Sequence, residues 1–236
     1  MEKTGKFLRI GGLVAVIVFI LALIMFNVTA STPASDKVWD MRTTIGSPDA
    51  KNLFIMYTDI ACPYCSAFER AIMTNEDEFK DYIAKNDILV EIRVMDFLYY
   101  YGEHPVEMSK LSAEATTCAT EKDKFWDYYH AALQALWNDY QSKGIGISKT
   151  SPAITDTTKD YWLDIGEKAG LNREELSSCM DKPETEKKLQ GMVEKTAKSG
   201  ATGMPYFVEG SFKTSGFDSS WGWDEVREYL GAGLKK

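Results

Sequence analysis

Two kinds of hydrophobic pattern follow one another along this chain, and the first kind predicts strands. Residues 53–57 are continuously apolar, which is typical of a strand buried on both faces. Residues 88–95 place apolar side chains at every second position, with Glu91 and Arg93 on the other face. This period of two predicts a second strand.

The second kind of pattern is helical and occupies most of residues 105–199. Apolar residues recur every three or four positions, which predicts helices at 110–120, 123–140, 159–169, 173–180 and 184–199. Asn172 is a suitable N-cap for the fourth of these helices. The core-facing side chains of the second helix are Phe125, Tyr129, Ala132, Leu133 and Leu136.

The strand pattern returns after this helical region. Residues 206–208 and 211–213 flank Glu209-Gly210, which predicts a tight hairpin. Residues 224–230 predict a closing helix. The pattern as a whole predicts an α/β domain whose sheet is split by a helical insertion at about residues 103–199.

The charge and hydrophobic pattern of the first thirty residues predicts a membrane-targeting segment. Three basic residues precede residues 10–26, a run of seventeen residues without a charge, which is just long enough to span a bilayer. A basic flank keeps the N-terminus cytoplasmic. We therefore expect residues 1–35 to be a signal anchor with one transmembrane helix and a short linker, and residues 36–236 to be extracytoplasmic. Residues 28–30 also resemble a cleavage site, so cleavage of the anchor remains an alternative.

The composition of the rest of the chain is typical of one acidic globular domain. Residues 1–30 carry a net charge of +2, so the overall charge of −8 leaves −10 on the remainder. About 200 residues are enough for a single core of ordinary size. A strongly acidic domain is a poor candidate for nucleic-acid binding, and we expect no such partner.

The candidate chemistry lies in Cys62-Pro63-Tyr64-Cys65, between the first strand and a helical pattern. Pro63 suits the first turn of a helix, which places Cys62 at the helix N-terminus. Unpaired backbone N–H groups and the positive end of the helix dipole stabilise a thiolate there. Cys62 is therefore the predicted reactive sulfur. Cys65, one turn further along and less exposed, is the predicted resolving sulfur.

Two other interpretations of this Cys-x-x-Cys fit the sequence less well. A zinc site needs further ligands at short spacing, whereas Cys118 and Cys179 stand alone, so we expect no metal. A purely structural disulfide gains little chain entropy from so short a loop, which is better suited to being opened. A redox role is the preferred interpretation.

Cys118 and Cys179 each lie on the apolar face of a predicted helix. They are either two buried free thiols or a disulfide that joins the two helices. An oxidising compartment permits the disulfide, which we expect for an exported protein.

The order and spacing of three motifs resemble the DsbA-like thiol:disulfide oxidoreductases of the thioredoxin superfamily. The motifs are Asp59-Ile60-Ala61-Cys62-Pro63-Tyr64-Cys65, then Ala119 and Phe125-Trp126 within the helical insertion, and Thr202-Gly203-Met204-Pro205-Tyr206-Phe207 before a hairpin. The match covers residues 45–230. It implies a thioredoxin-like fold that carries a helical insertion, and a protein-disulfide oxidoreductase activity without a cofactor.

The resemblance implies a cis peptide bond between Met204 and Pro205, with this loop beside the Cys62–Cys65 pair. In this family the cis proline shapes the groove in which a substrate chain lies. The backbone of Met204 would pair with an extended peptide as a strand does.

The resemblance also implies partners. The substrates would be unfolded or reduced exported proteins, and a quinone-linked membrane protein of the DsbB or VKOR type would reoxidise the enzyme. Membrane-anchored relatives carry a second cysteine pair at positions similar to Cys118 and Cys179, which further favours the structural disulfide.

Four polar or aromatic positions need separate interpretation. Strong oxidants of the family have a histidine where this chain has Tyr64, and the loss of that donor predicts a weaker oxidant. Asp59 is a candidate for proton transfer to Cys65, and a local loop or capping role is the alternative. His104 and His130 lack ligand-like neighbours and are assigned to structure.

The sequence leaves two alternative functions open. The same cysteines at a lower potential would serve a disulfide reductase or isomerase. Isomerases of this superfamily bring a separate dimerisation domain, for which there is no room between Ser35 and the first strand. A non-catalytic thioredoxin-like module that binds exported peptides is the alternative from a different class.

Overall fold

Five strands form one mixed sheet in the computed structural model, which describes residues 37–102, 106–148, 150–218 and 220–234. The strands are β1 (Thr44–Ile45), β2 (Asn52–Thr58), β3 (Ile88–Val94), β4 (Tyr206–Glu209) and β5 (Phe212–Ser215), and they lie in the order β1-β3-β2-β4-β5. Strand β2 runs parallel to β3 and antiparallel to β4. The strand that precedes the Cys-x-x-Cys is therefore the central one.

Nine helices surround this sheet in the described ranges. They are α1 (Pro63–Thr74), α2 (Glu76–Lys85), α3 (Phe97–Tyr101), α4 (Glu107–Glu121), α5 (Phe125–Asp139), α6 (Lys159–Lys168), α7 (Arg173–Met180), α8 (Pro183–Lys198) and α9 (Trp223–Leu230). The five helices predicted for the insertion correspond to α4 through α8, with ends that differ by at most three residues. Asn172 caps α7 as predicted, because its side chain accepts a hydrogen bond from the N–H of Glu175 at 3.0 Å.

The central strand is buried on both faces, as its continuous apolar pattern predicts. Phe54, Ile55, Met56 and Tyr57 are each at most 1% exposed. Each of these side chains removes apolar surface from water, which stabilises the fold by about 1.5–3 kcal/mol per large side chain. This burial fixes the position of the segment that follows, which contains the two cysteines.

Strand β3 is buried on both faces as well, although its alternating pattern predicts a polar second face. Glu91 is 0% exposed and Arg93 is 2% exposed. Their charges are compensated because Arg93 Nη2 donates to Glu91 Oε2 at 2.6 Å and the guanidinium lies 3.8 Å from the centre of the Trp39 ring. Buried charges are tolerated when they are paired in this way. Glu91 also accepts hydrogen bonds from the N–H groups of Trp39 and Asp40, which holds the start of the domain against the sheet.

The hairpin turn lies one residue later than the pattern predicts. Glu209 pairs with Phe212 inside the sheet, so the turn consists of Gly210 and Ser211 rather than Glu209 and Gly210. The backbone of Gly210 has a φ of +56°, a conformation that glycine adopts without steric cost.

Cys118 and Cys179 form a disulfide in the structure that joins α4 to α7. Both residues are buried, at 2% and 8% exposure. The bond closes a loop of 61 residues within the helical insertion. It fixes the packing of this insertion rather than the sheet.

The predicted anchor and linker at residues 1–35, and His104, lie outside the described residues. Within those residues, no helix is both long enough and apolar enough to cross a membrane. Lys37–Lys236 forms one compact unit.

Removing the Cys118–Cys179 disulfide should destabilise the fold. Because the bond restricts a loop of 61 residues in the unfolded chain, the double variant Cys118→Ala/Cys179→Ala should lose about 2–4 kcal/mol of unfolding free energy. Urea unfolding followed by tryptophan fluorescence measures this loss. Wild-type chain with the disulfide reduced is the control that leaves both side chains in place, and a double variant within 1 kcal/mol of the oxidised wild type would contradict the expectation.

Candidate active site

The turn between β2 and α1 places Cys62 at the start of a helix. Cys62 is the N-cap residue of α1 and Pro63 occupies its first turn. The Cys62 carbonyl accepts a hydrogen bond from the N–H of Ser66 at 3.0 Å, which is the first bond of the helical ladder. Proline fits here because its missing N–H would have no helical partner. The sulfur of Cys62 therefore lies at the positive end of the helix dipole, where an anion is favoured.

The two cysteines differ in their surroundings. Cys62 is 4% exposed, whereas Cys65 is completely buried. Burial raises the pKa of the Cys65 thiol well above its usual range, and the neighbouring Cys62 sulfur adds to this effect. The N–H of Asp59 lies 3.5 Å from Cys65 Sγ and opposes the increase. Cys65 thus keeps its proton until a neighbouring group removes it.

The loop before β4 lies directly against Cys62. The Met204–Pro205 peptide bond is cis, as the resemblance implies. The Met204 carbonyl oxygen lies 3.5 Å from Cys62 Sγ and accepts a hydrogen bond from the thiol. The two residues are 142 positions apart in the sequence, so the sheet brings together the two motifs that the sequence analysis selected separately.

The carboxyl of Asp59 is buried and fully engaged in hydrogen bonds. Its Oδ1 accepts from the N–H of Ala61 at 2.9 Å, and its Oδ2 accepts from the N–H of Leu98 at 2.8 Å and from Ser109 Oγ at 2.6 Å. Burial raises the pKa of Asp59 to about 6. These contacts support the local capping role that was one of its two predicted roles. Among the described residues, the hydrogen-bond partners of this carboxyl are Ala61, Leu98 and Ser109, and Cys65 Sγ faces the backbone N–H of Asp59 instead.

The remaining predicted side chains are peripheral to the sulfurs. Tyr64 is half-buried and packs on the core. His130 lies on α5 at 5.5 Å from the ring of Trp126. Among the residues that the structure describes, no three His, Cys, Asp or Glu side chains lie together in a way that could hold a metal ion.

Glu69 and Tyr129 are two polar residues near Cys65 that the sequence analysis did not assign to the site. Glu69 is 3% exposed, and burial raises its pKa to about 7. Tyr129 is completely buried, and its hydroxyl lies close to both Glu69 and Thr58. One signal was available in the sequence, because Glu69 follows Cys65 by four positions and therefore shares its helix face.

The arrangement can form and open a disulfide between Cys62 and Cys65. One sulfur lies at a helix N-terminus beside a backbone carbonyl, and the second is buried in contact with the first. Thiol–disulfide exchange requires an accessible thiolate and a second sulfur that can displace it. Cys65 is placed to be the second sulfur, and Cys62 is the more exposed of the two, at 4%.

Several solved structures have the same fold. BdbD from Bacillus subtilis, in its oxidised form, is 20% identical to this chain, with a TM-score of 0.60 over 82% of this chain and 93% of BdbD. A thioredoxin-like oxidoreductase from Silicibacter pomeroyi is 18% identical, with a TM-score of 0.57 over 84% of this chain and 95% of that one. MdbA, a thiol-disulfide oxidoreductase from Corynebacterium diphtheriae, is 14% identical, with a TM-score of 0.56 over 84% and 96% of the two chains.

The same region of the chain also matches a protein family in sequence. No curated protein matches the sequence significantly. The profile of the thioredoxin family matches residues 39–229, which include both cysteine pairs and the cis-proline loop. The chain therefore belongs to the thioredoxin family.

Proposed function

We propose that this protein is an extracytoplasmic protein-disulfide oxidoreductase that introduces disulfides into exported proteins through Cys62 and Cys65. The contact between Cys62 Sγ and the Met204 carbonyl oxygen, at 3.5 Å, is the observation that carries the proposal. It joins the helix N-terminus that favours a thiolate to a backbone group suited to an extended peptide. A substrate chain that pairs with Met204 would bring its own sulfur next to Cys62.

The reaction is an exchange of thiolates. A substrate thiolate attacks Sγ of Cys62 in the oxidised enzyme, the Cys62–Cys65 bond breaks, and Cys65 leaves and takes up a proton. A second substrate thiolate then attacks the substrate sulfur in the mixed disulfide. The substrate leaves with a new disulfide, and the enzyme leaves with two reduced cysteines.

Location and reoxidation are further parts of the proposal. The basic residues and apolar run of residues 1–30 support an N-terminal anchor with the domain outside the cytoplasm. A quinone-linked membrane protein of the DsbB or VKOR type would then accept the two electrons. The disulfide between Cys118 and Cys179 is consistent with an oxidising compartment.

Replacing the reactive sulfur should abolish activity. The variant Cys62→Ser should lose all detectable oxidation of a peptide that contains two reduced cysteines, because serine cannot form the mixed disulfide. The full-length oxidised chain is incubated with the peptide, and peptide disulfide is measured by mass spectrometry. The variant Cys118→Ala/Cys179→Ala is the matched control and should keep its activity where it remains folded.

The variant Cys62→Ser also distinguishes an enzyme from a peptide-binding module. A non-catalytic module would bind the peptide equally well with Cys62→Ser and would produce no peptide disulfide even as the wild type. That result would contradict the proposed function.

The reduction potential of the Cys62–Cys65 pair should identify the direction of electron flow. We expect a value closer to about −120 mV than to about −270 mV, because an oxidase must accept electrons from substrate thiols. Equilibration of the full-length chain in glutathione buffers measures it, and alkylation shows whether Cys118 and Cys179 stay bonded. A value near −270 mV would instead match thioredoxin-like reductants and reverse the proposed direction.

A further inference from the structure

A cavity with a volume of about 460 Å³ lies between strand β3 and helices α4 and α8. This volume is within the range of pockets that bind ligands in other proteins. Neither Cys62 nor Met204 borders the cavity. Its apolar walls are formed by Trp39, Ile92, Val94, Phe125 and Met192. The cavity is therefore large enough for a ligand and separate from the disulfide site.

The cavity follows the backbone edge of strand β3. Four consecutive residues, 91–94, border it. Successive side chains of a strand point to opposite faces of the sheet, so a run of four meets one cavity along the edge that its backbone shares. Strand β2 covers the other edge of these residues. On the cavity side β1 pairs with β3 only at Val90 and Glu91, because a short 3-10 helix, Met41–Thr43, precedes β1. The cavity thus faces a strand edge that has no partner strand at residues 92–94.

An unpaired strand edge is suited to one kind of ligand. Its N–H and C=O groups pair readily with another extended chain, which then continues the sheet. At 3.3 Å per residue, residues 92–94 present an edge about 10 Å long. An extended peptide of at least three residues is therefore the occupant that this edge fits.

The two acidic residues that border the cavity are already paired with arginines. Arg93 Nη2 donates to Glu91 Oε2 at 2.6 Å, and Arg42 Nη2 donates to Asp40 Oδ2 at 2.8 Å. Each carboxylate is therefore compensated by a neighbouring cation. The net charge of the cavity depends on the residues that helix α8 contributes.

Three exposed lysines of α8 border the cavity, namely Lys187, Lys188 and Lys195. Within the described ranges, Lys187 and Lys195 form no salt bridge, and Lys188 Nζ lies 3.7 Å from Glu121 Oε1. The ammonium group of Lys195 lies 5.8 Å from the centre of the Trp39 ring, which is part of the cavity wall. These cations form a locally positive side of the cavity in an otherwise acidic domain. Carboxylate groups on a bound peptide would complement them.

Gly191 borders the cavity within α8, although the fold does not require a glycine there. Its backbone is helical, and a β-carbon at this position would have no heavy atom within 4 Å among the described residues, apart from its chain neighbours and the backbone of its own helix. Glycine weakens the interior of a helix relative to alanine. The absence of a side chain keeps the space beside the lysines open, which benefits a ligand rather than the packing of the helix.

We propose that this cavity binds an extended acidic segment of a partner protein, which pairs with the β3 edge and places its carboxylates against the lysines of α8. The inference goes beyond the proposed function, because it concerns a second site and does not depend on the chemistry of Cys62. Side chains of an extended segment alternate between two sides. A segment with an acidic residue at every second position therefore directs its carboxylates to one side and its apolar residues to the other.

The probe is a capped seven-residue peptide in which glutamate alternates with valine. It carries fluorescein on a polar linker, and fluorescence anisotropy measures its binding to the full-length chain in nonionic detergent. The peptide should bind, and the same peptide with lysine at each glutamate position should bind at least about tenfold more weakly, because like charges then face each other. No binding of the glutamate peptide at protein concentrations up to about 100 μM would overturn the proposal.

Methylation of the peptide's backbone nitrogens tests the strand pairing. One version of the glutamate peptide is N-methylated at every valine, and another at every glutamate. Only one of these two sets of N–H groups can face the β3 edge. One methylated version should therefore bind at least about tenfold more weakly than the other. Equal affinities of the two versions would overturn the pairing with β3.

A pair of variants on α8 tests the position of the site. Gly191→Phe should weaken binding of the glutamate peptide at least about tenfold, because the ring would occupy the open space beside the lysines. Gln190→Phe is the matched control, since Gln190 is exposed on the same helix and does not border the cavity. This control should bind the peptide as the wild type does. Equal binding by the two variants would contradict the proposed site.

A second pair of variants tests the charges. Lys188→Gln/Lys195→Gln should weaken binding about tenfold, because an exposed charge contact contributes about threefold each. Lys182→Gln/Lys198→Gln removes the same charge from exposed positions of α8 and its N-cap that do not border the cavity, and it should bind as the wild type does. Equal weakening in the two double variants would overturn the proposal, because only the net charge would then matter. All of these variants should oxidise a dithiol peptide at the wild-type rate, so a failure of this site is distinguishable from a failure of the proposed function.

Discussion

The hydrogen bonds to the Asp59 carboxyl hold the turn on which the rest of the site depends. They join the segment after β2 to Ala61, to Leu98 at α3 and to Ser109 on α4, all within 2.9 Å. A buried carboxyl that accepts three hydrogen bonds fixes backbone position more firmly than apolar packing, because each bond has a preferred direction. The start of α1, and with it the Cys62 sulfur, is thereby held against the cis-proline loop.

This fixed geometry creates two chemically different sulfurs within one helical turn. Cys62 lies at the helix N-terminus and is 4% exposed, and Cys65 is completely buried. Burial disfavours the thiolate of Cys65 because a charge loses its hydration there. In its reduced form Cys65 therefore carries its proton.

The helical insertion contributes to the site as well as to the core. Helix α5 supplies Tyr129 from the same apolar face that supplies Phe125 and Leu133 to the core. Helix α4 supplies Ser109 to Asp59 and is joined to α7 by the second disulfide. Helix α4 thus makes one polar contact to the site and one covalent contact within the insertion.

The sequence by itself determined the elements and the reactive motif. A continuous apolar run specified the central strand, helical spacing specified α4 through α8, and Pro63 specified where α1 begins, because each of these depends on local sterics or on a periodic apolar face. Strand β1 and helices α2 and α3 were not predicted. Strand β1 and helix α3 have two and five residues, which are too few to show a period. Tertiary structure decided that the polar face of β3 is buried, which atoms of Met204 and Cys62 meet, and which groups hydrogen-bond to the Asp59 carboxyl. These outcomes depend on contacts between residues far apart in the sequence, and no local pattern records which polar groups will meet.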